Sequence, residues 1–392
     1  MRLLARLATA TLLTITPVAA GTASAAAPEP NPAPLVKAAN PVPGKYIVTL
    51  EKGQDAVKIA KRLGLKPSFV YDTAMTGFAV PLNSLELTLV RNALGVKSVE
   101  EDAAVQSVPM QTPGMMRAPS NSWGLDRIDQ EKLPLDNNFT VEGNGAGVNA
   151  YILDSGIDYE HTEFGGRATF GFDAIGDGRN GQDCQGHGTH VAGTVAGKTY
   201  GVARKANLIS VRVLGCDGKG TWSGIIAGMD WVAKNAKQPA VLNGSLGGDK
   251  STAVNDAATA LSDAGVLPVI AAGNSSKDAC YISPASAPRV LTVAASNQYD
   301  EETDFSNYGS CVSLYAPGAA IVSAKLGGGS VAQDGTSMAA PHVAGVAVLY
   351  KQEHPNADPG ELNEFLDEKS TKDALSSISK SSPNVLLNTG GL

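Results

Sequence analysis

The chain has 392 residues, 43% of them hydrophobic, so it can bury a sizeable core and is too long for one ordinary domain. Its formal net charge at pH 7 is -7, and aromatic residues make up only 5% of it. Nucleic acid and anionic lipid repel an acidic protein, so neither is expected as a partner. We therefore expect one large domain and a smaller one.

The first 25 residues have the pattern of an export signal. Arg2 and Arg6 precede an apolar stretch from residue 7 to about 20, and Ala23-Ser24-Ala25 forms a small-residue cleavage site. A membrane anchor is the alternative, but the stretch is shorter than the roughly 20 residues that a spanning helix needs. We predict a signal peptide over residues 1–25 and a secreted, extracellular protein with no membrane partner.

The cysteine content agrees with export. All four cysteines follow the signal, and an even number in an oxidising compartment predicts two disulfides. Three pairings are possible, of which sequence neighbours are the simplest. The residues are Cys184, Cys216, Cys280 and Cys311.

A small domain follows a linker. Residues 26–43 are rich in Pro and Ala, which favours a flexible linker. The patterns after it predict a strand, a helix, a bent extended segment, a helix and a strand, over residues 45–50, 55–63, 69–80, 84–94 and 96–105. This β-α-β-β-α-β order predicts an α+β, ferredoxin-like domain over residues 44–107.

The remaining chain has a different pattern. Residues 108–122 are polar and contain Pro, which predicts an exposed linker that a protease could cut. From residue 123 to 392, apolar strands alternate with helices, so we predict an α/β domain with three layers and a mostly parallel sheet. The strands are expected near 148–153, 208–213, 241–246, 266–271 and 290–294, and the helices near 187–197, 221–236, 252–264 and 337–350.

Asp154 ends the apolar strand Tyr151-Ile-Leu-Asp154 and is followed by Ser-Gly. Open α/β sheets build their sites at this carboxyl end. An acid there can hold the general base of an acyl-transfer reaction, although strand-end Asp residues often only cap a turn.

His187 lies in Gly186-His187-Gly-Thr-His190, where glycine permits a tight turn into a helix. A metal site is the alternative, because two histidines are close. They are three residues apart with no acid placed as in H-E-x-x-H, so we expect a general base at His187. His190 should pack internally or bond to the backbone.

Ser337 heads the small-residue helix that begins Gly335-Thr-Ser337-Met-Ala, and a helix N-terminus favours negative charge. Such a Ser is often only an N-cap. Asn274, after the buried strand that starts at Val269, can direct its amide at the same oxyanion. Asn274-Ser-Ser276 also fits an N-glycosylation acceptor.

In the order Asp154, His187, Asn274 and Ser337, these motifs resemble those of the subtilase family. The likeness covers the chain after about residue 123. Segments 123–130, 180–187, 245–248 and 305–311 are similar to the proteinase K branch, and most of all to its aqualysin-like members.

The resemblance implies a catalytic mechanism. Ser337 would attack the scissile carbonyl, His187 would carry the proton, Asp154 would fix the imidazole, and Asn274 would bind the oxyanion. An extended substrate would lie between two edges, with broad specificity. These edges are Gly218, Lys219 and Gly220, and Ser245, Leu246 and Gly247.

The resemblance also implies processing, disulfides and calcium. Residues 45–105 are similar to the family's inhibitor-type propeptide, so we expect a self-processing zymogen whose propeptide is an intramolecular inhibitor and chaperone. The neighbour pairing of the cysteines matches the aqualysin pattern. A structural Ca²⁺ is implied at a first site, for which a merely acidic surface loop is the alternative. The family's second site uses the carbonyls that match Pro288 and Val290 together with an Asp, and Ser313 stands here in place of that Asp. The implied ligands of the first site are Asp126, Asp129, Gln130, Asp136 and Asn138.

We conclude that the sequence predicts a monomeric serine endopeptidase acting on proteins and peptides. The alternative is an inactive subtilase-fold binding or inhibitor protein, which would lack a triad or oxyanion residue, and none is missing. An α/β-hydrolase would need a G-x-S-x-G turn and the order Ser, Asp, His, and neither is present.

Overall fold

The computed structural model of the chain describes residues 31–107 and 123–392. The predicted signal peptide, residues 1–25, and the predicted processing linker, residues 108–122, lie outside the described residues. Within the two described ranges, no helix is both long enough and apolar enough to span a membrane.

Residues 31–107 form an N-terminal unit with an antiparallel sheet. Its elements are β1 Leu35–Val36, β2 Pro41–Leu50, α1 Ala56–Arg62, β3 Phe69–Tyr71, β4 Gly77–Pro81, α2 Ser84–Arg91 and β5 Val96–Ser107. Strands β5, β2, β4 and β3 are neighbours in that order, and each neighbouring pair is antiparallel. This is the split βαβ arrangement that the order of elements predicted.

The chain becomes regular before the end of the predicted linker, residues 26–43. β1 lies parallel to β5, and β2 already begins at Pro41. The backbone N–H of Ala33 donates to the carbonyl of Arg91 at 2.7 Å, and the Arg91 Nε donates back to Ala33 O at 2.8 Å. The linker prediction is therefore wrong from residue 33 onward, because these contacts join distant parts of the chain and composition does not report them.

Residues 123–392 form the larger unit. Its elements are α3 Trp123–Ile128, β6 Asn149–Asp154, β7 Ala168–Asp173, α4 His187–Ala196, β8 Asn207–Arg212, β9 Lys219–Thr221, α5 Trp222–Asn235, β10 Ala240–Gly244, β11 Leu246–Asp249, α6 Thr252–Asp263, β12 Leu267–Ala271, β13 Ile282–Ser283, β14 Leu291–Ser296, β15 Leu314–Pro317, β16 Ile321–Ala324, β17 Ser330–Gln333, α7 Thr336–Glu353, α8 Pro359–Lys369, β18 Thr371–Lys372 and β19 Val385–Leu386.

The central sheet of this unit has the order β18-β19-β15-β14-β12-β10-β6-β8-β7. All neighbours are parallel except β18 and β19. Ile152 of β6 belongs to the core that contains α4 and α7, whereas Tyr151 and Leu153 belong to the core that contains α5 and α6. Helices thus cover both faces of the sheet, which is the predicted α/β architecture of three layers.

The N-terminal unit packs against α5 and α6. Because side chains alternate along a strand, Val48 of β2 points to the core under α1 and α2, while Ile47 joins the core that contains α5 and α6. The hydroxyl of Tyr71 donates to the carbonyl of Ser223 at 2.9 Å. β5 extends beyond its own sheet and lies between β9 and β11, antiparallel to both.

Three helices of the larger unit, α5, α6 and α8, begin at a capping side chain. Thr221 accepts from Gly224 N at the start of α5, and Ser251 accepts from Val254 N at the start of α6. In contrast, α4 and α7 begin after Gly186 and Gly335 without such a cap. The sequence placed His187 and Ser337 at the start of these two helices.

Candidate active site

Asp154 lies at the carboxyl end of β6, where the sheet order reverses. β8 and β7 lie on one side of β6, and β10 and the later strands lie on the other. The side chain is fully buried. This is the switch point at which open α/β sheets hold their sites, as the sequence predicted.

His187 lies against Asp154. Its Nδ1 is 2.8 Å from Asp154 Oδ1 and 2.9 Å from Oδ2, and both side chains have no exposed surface. Burial lowers the pKa of His187, but the charge and hydrogen bond of Asp154, with Asp183 as a further anion, outweigh it and leave the pKa raised. With Nδ1 bonded to the carboxylate, Nε2 is the nitrogen left for a reacting group, and it has no hydrogen-bond partner in the described part of the chain.

Ser337 lies in the first turn of α7, after Gly335. Gly335 has a φ of 152°, and a Cβ there would lie 2.8 Å from Asn274 Nδ2, so only glycine fits. Ser337 Oγ donates to the carbonyl of Ser245 at 3.2 Å, and Ser245 Oγ donates to the carbonyl of Ser337 at 2.9 Å. The two serines therefore join the start of α7 to the end of β10.

Asn274 follows β12 and is fixed beside the start of α7. Its Oδ1 accepts from Thr336 N at 2.9 Å and from Thr336 Oγ1 at 2.8 Å. Because the oxygen is used in this way, the amide nitrogen is the end of the side chain that lies next to Gly335. The amide N–H groups of Asn274 are thus placed beside Gly335, two residues before Ser337.

The predicted substrate edges hold a strand of the chain itself. Val105 pairs with Gly220, and Gln106 pairs with both Lys219 and Gly247. Ser107 pairs with Leu246, and its N–H donates to Gly218 O at 2.8 Å. β5 therefore occupies the cleft as an antiparallel strand between the two edges.

The second histidine of the motif is structural. His190 is fully buried, and its Nε2 lies 3.1 Å from the carbonyls of both Ile321 and Val331. Burial is the main reason that its pKa is lowered to about 3, so the ring is neutral. The expectation that His190 bonds to the backbone is confirmed.

The predicted calcium ligands lie in α3 and the loop after it. Asp126 accepts from Asn137 N at 2.9 Å, and Asp129 accepts from Thr140 N at 2.5 Å. Gln130 Oε1 accepts from Asp136 N at 3.3 Å, and Asp136 accepts from Asn138 N at 2.8 Å. Among residues 31–107 and 123–392, no three acidic, histidine or cysteine side chains converge on one metal position.

At the second calcium position that the family resemblance implies, Pro288 and Ser313 are bonded to protein groups. The carbonyl of Pro288 accepts from Thr259 Oγ1 at 2.9 Å. Ser313 Oγ accepts from Thr292 N at 3.0 Å. The oxygens of Pro288 and Ser313 therefore already accept hydrogen bonds from α6 and β14.

The structure pairs neighbouring cysteines. Cys184 is bonded to Cys216, and Cys280 is bonded to Cys311. Cys184 precedes His187 by three residues and Cys216 precedes the edge strand β9, so this disulfide ties the histidine loop to the substrate edge.

Sequence reasoning missed one residue near the site, Asp183. It is buried and accepts hydrogen bonds from Ser155 and from the residues around His187. The signal was an acid three residues before Gly186, because a glycine at the N-cap leaves the N–H groups of the first turn without a side-chain acceptor.

Comparisons with known proteins agree with this geometry. The family model described as "Subtilase family" matches residues 145–384. The chain is 42% identical to an extracellular serine proteinase of Thermus sp. (strain Rt41A), over 91% of this chain and 92% of that protein. It is 45% identical to alkaline serine exoprotease A of Vibrio alginolyticus, over 76% of this chain and 55% of that protein.

A solved structure agrees as well. The crystal structure of a cold adapted subtilisin-like serine proteinase superposes with a TM-score of 0.68 and 48% identity, covering 69% of this chain and 99% of that one. Both the sequence and the fold therefore identify the chain as a member of the subtilase family.

Proposed function

We propose that this secreted serine endopeptidase cleaves peptide bonds with Ser337 as nucleophile, His187 as general base, Asp154 as the residue that orients the base, and Asn274 as oxyanion donor. The observation that carries the proposal is β5, which lies across the cleft as a peptide substrate would. The buried pair of Asp154 and His187 supplies the base beside it.

In the proposed reaction, His187 Nε2 removes the Ser337 proton as Oγ attacks the carbonyl carbon, and the imidazolium later protonates the leaving amine. Asp154 holds the proton on Nδ1 and stabilises the charged ring. Asn274 Nδ2 and the N–H of Ser337 would donate to the oxyanion. Water then hydrolyses the acyl-enzyme by the same steps.

One side chain must move before attack. Ser337 Oγ donates to Ser245 O, and the imidazole is not bonded to it. In the proposed reaction, a rotation of the Ser337 side chain about its Cα–Cβ bond would exchange the Ser245 carbonyl for the His187 imidazole as the acceptor. Hydrogen bonds of this kind often tighten only when substrate is bound.

Substrate recognition should depend on the backbone. The edges contact β5 through ladder hydrogen bonds, and the side chains of residues 104–107 are small or polar. We expect broad specificity, which is tested by sequencing the products of a denatured protein. Cleavage confined to one residue type would contradict it.

We also propose that the N-terminal unit is a propeptide that inhibits the enzyme and assists its folding. Asp102 accepts from Ser223 N at 3.0 Å and Glu100 accepts from Ala253 N at 3.3 Å, so each bonds to the first turn of α5 or α6. β5 blocks the cleft at the same time. The N-terminal unit would therefore inhibit the enzyme and assist its folding through the same interface with the larger unit.

Self-processing is expected just after β5. Ser107 is opposite Leu246, and the next residue of that edge is Ser245, whose carbonyl accepts from Ser337. This register supports a first cut near the start of the predicted linker, residues 108–122. A Ser337→Ala precursor should remain intact when no other protease is present, and normal maturation of it would contradict the proposal.

Calcium binding by the loop after α3 is a separate proposal. Subtilases commonly bind structural calcium, and the carboxylates of Asp126, Asp129 and Asp136 with the amide oxygens of Gln130 and Asn138 are the donors that Ca²⁺ prefers. Burial is the main cause of the raised pKa of Asp126 and of Asp129, and repulsion by neighbouring carboxylates adds to it. A cation would relieve that repulsion.

The calcium proposal is tested by thermal unfolding. The midpoint should fall when a chelator is added, and it should depend less on calcium in Asp129→Asn. A midpoint that is the same with calcium and with chelator would show that the loop is only an acidic surface.

The main proposal is tested with a serine-directed fluorophosphonate. The processed protein should be labelled at Ser337 and should lose casein hydrolysis as the label is incorporated. A folded, processed chain with neither label nor turnover would instead be an inactive protein of the same fold.

A further inference from the structure

The buried carboxylate of Asp183 is a centre of hydrogen bonds. Its Oδ1 accepts from Ser155 Oγ at 3.0 Å and from the N–H groups of Gln185 and Gly186, each at 2.9 Å. Its Oδ2 accepts from Thr189 N at 3.0 Å and from Thr189 Oγ1 at 2.6 Å. The residue is only 7% exposed. Five donors thus converge on one charged group.

These donors come from the two segments that carry Asp154 and His187. Ser155 follows Asp154 and donates its N–H to Asp154 Oδ1 at 2.7 Å, and Ser155 Oγ accepts from Gly188 N at 3.0 Å. The loop that contains His187 is therefore bonded to the end of β6 through Asp183 and Ser155 together.

Asp183 also replaces the missing cap of α4. Gly186, at the N-cap position, has no side chain to accept from the first turn, and Asp183 accepts from Thr189 N instead. The anion lies near the N-terminus of the helix, where the helix field favours it. Removing its charge would weaken both the helix start and the bond to Ser155.

We propose that Asp183 is a positioning residue, which holds the loop that carries His187 so that the imidazole stays against Asp154. This inference rests on the proposed function, because it assigns a role in the reaction of Ser337. Asp183 acts through His187 and Asp154, and it does not touch the reacting atoms.

The other charged and titratable groups around His187 make different contacts. Asp154 bonds to the ring, and His190 on the same helix is neutral because burial lowers its pKa to about 3. Arg212 of β8 donates to Ser155 O at 3.2 Å and to Cys184 Sγ at 3.4 Å, and its charge is paired with Asp173 and Asp177. Asp158 accepts from Gly327 N at the tip of the β16–β17 hairpin and is bonded to Thr189 only through its own N–H.

The test compares Asp183→Asn with the unchanged mature protein in the hydrolysis of a short peptide over a range of pH. We expect kcat to fall by about 10²-fold, as a small misplacement of a catalytic group can produce, while KM changes little. The acidic limb of kcat/KM should move to lower pH, because one of the two anions that raise the pKa of His187 is gone.

Two controls separate position from stability. Thr189→Val removes the hydroxyl bond and keeps the charge, so its acidic limb should stay in place. Asp300→Asn breaks the buried pair with Arg127, which is joined at 2.7 Å, so it should unfold at lower temperature with kcat and the limb unchanged.

The inference is overturned if Asp183→Asn loses only thermal stability, or keeps both kcat and the acidic limb. Should that variant not fold, Ser155→Ala decides the point, because it removes the bridge and leaves the anion. Its kcat should fall with an unchanged limb, and wild-type kcat would overturn the inference. Failure of the proposed function would look different, since the unchanged protein would then show neither turnover nor label at Ser337.

Discussion

Asp230 of α5 should determine how tightly the N-terminal unit inhibits the enzyme. Its carboxylate accepts from Ala74 N at 2.7 Å, from Thr73 N at 2.8 Å and from Asp72 N at 3.3 Å. In Asp230→Ala these N–H groups lose their acceptor in the complex but are hydrated in the free fragment. The substitution should therefore weaken the binding of the N-terminal fragment to the enzyme.

The expected size follows from the two shorter bonds. A hydrogen bond to a charged group contributes about 1.5–3 kcal/mol. The lower value for both bonds gives about 3 kcal/mol, which is on the order of 10²-fold in the inhibition constant. The third, longer bond is left out of this sum.

The assay is inhibition of peptide hydrolysis by the N-terminal fragment, using mature wild-type enzyme and mature Asp230→Ala. The matched control is Asp263→Ala, because Asp263 is about half exposed on α6 and pairs with Arg289 of the same unit at 2.6 Å. Both variants should keep the kcat and KM of wild type. An inhibition constant for Asp230→Ala within about threefold of wild type would refute the reasoning, since even one such bond is worth more.

Two further outcomes are expected. Burial is the largest cause that raises the pKa of Glu100 above 4.5 and the pKa of Asp102 above 3.8 in the complex. Protonation of these two carboxyls therefore favours the complex, so the N-terminal unit should bind most tightly below those free values. This gain in binding is lost as the pH rises through the raised pKa values. The double variant Glu100→Gln, Asp102→Asn should show a flatter pH profile of the inhibition constant than wild type, and equal profiles would count against the assignment. If Asn274 is the oxyanion donor, Asn274→Leu should lower kcat by about 10²- to 10³-fold, the loss that follows removal of one such donor in subtilisin, with little change in KM. An unchanged kcat in that variant would contradict the assignment of Asn274 as an oxyanion donor.

The sequence predicts the larger unit well because its signals are local. Asp154, His187, Asn274 and Ser337 each lie at or near the end of a regular element and have glycine or another small residue close by, and the structure brings their segments to one edge of the sheet. The inner strands β6, β10, β12 and β14 are buried on both faces, so each is a largely apolar run that can be recognised without knowledge of its neighbours.

What the sequence does not predict depends on contacts between distant residues. Asp230 looks like one more acid on a helix, and only the docked N-terminal unit shows that it binds the N–H groups of residues 72–74. The role of Asp183 likewise depends on Ser155, which lies 28 residues earlier. The β16–β17 hairpin was missed because its strands are short and border a glycine-rich turn.

The N-terminal unit has two apolar faces, and only one is covered by its own helices. Val48 and Phe78 pack under α1 and α2, whereas Ile47, Tyr71 and Met75 are buried against the helices of the larger unit. Separation would expose this second face on a fragment too small to compensate with a single core. We therefore expect the isolated fragment of residues 31–107 to be largely unfolded by circular dichroism and to gain structure when mature Ser337→Ala enzyme is added. A cooperative unfolding transition at about 45–65 °C, as an ordinary domain shows, would contradict this. An unfolded fragment is itself a substrate, so degradation after release would make activation irreversible without any further inactivating step.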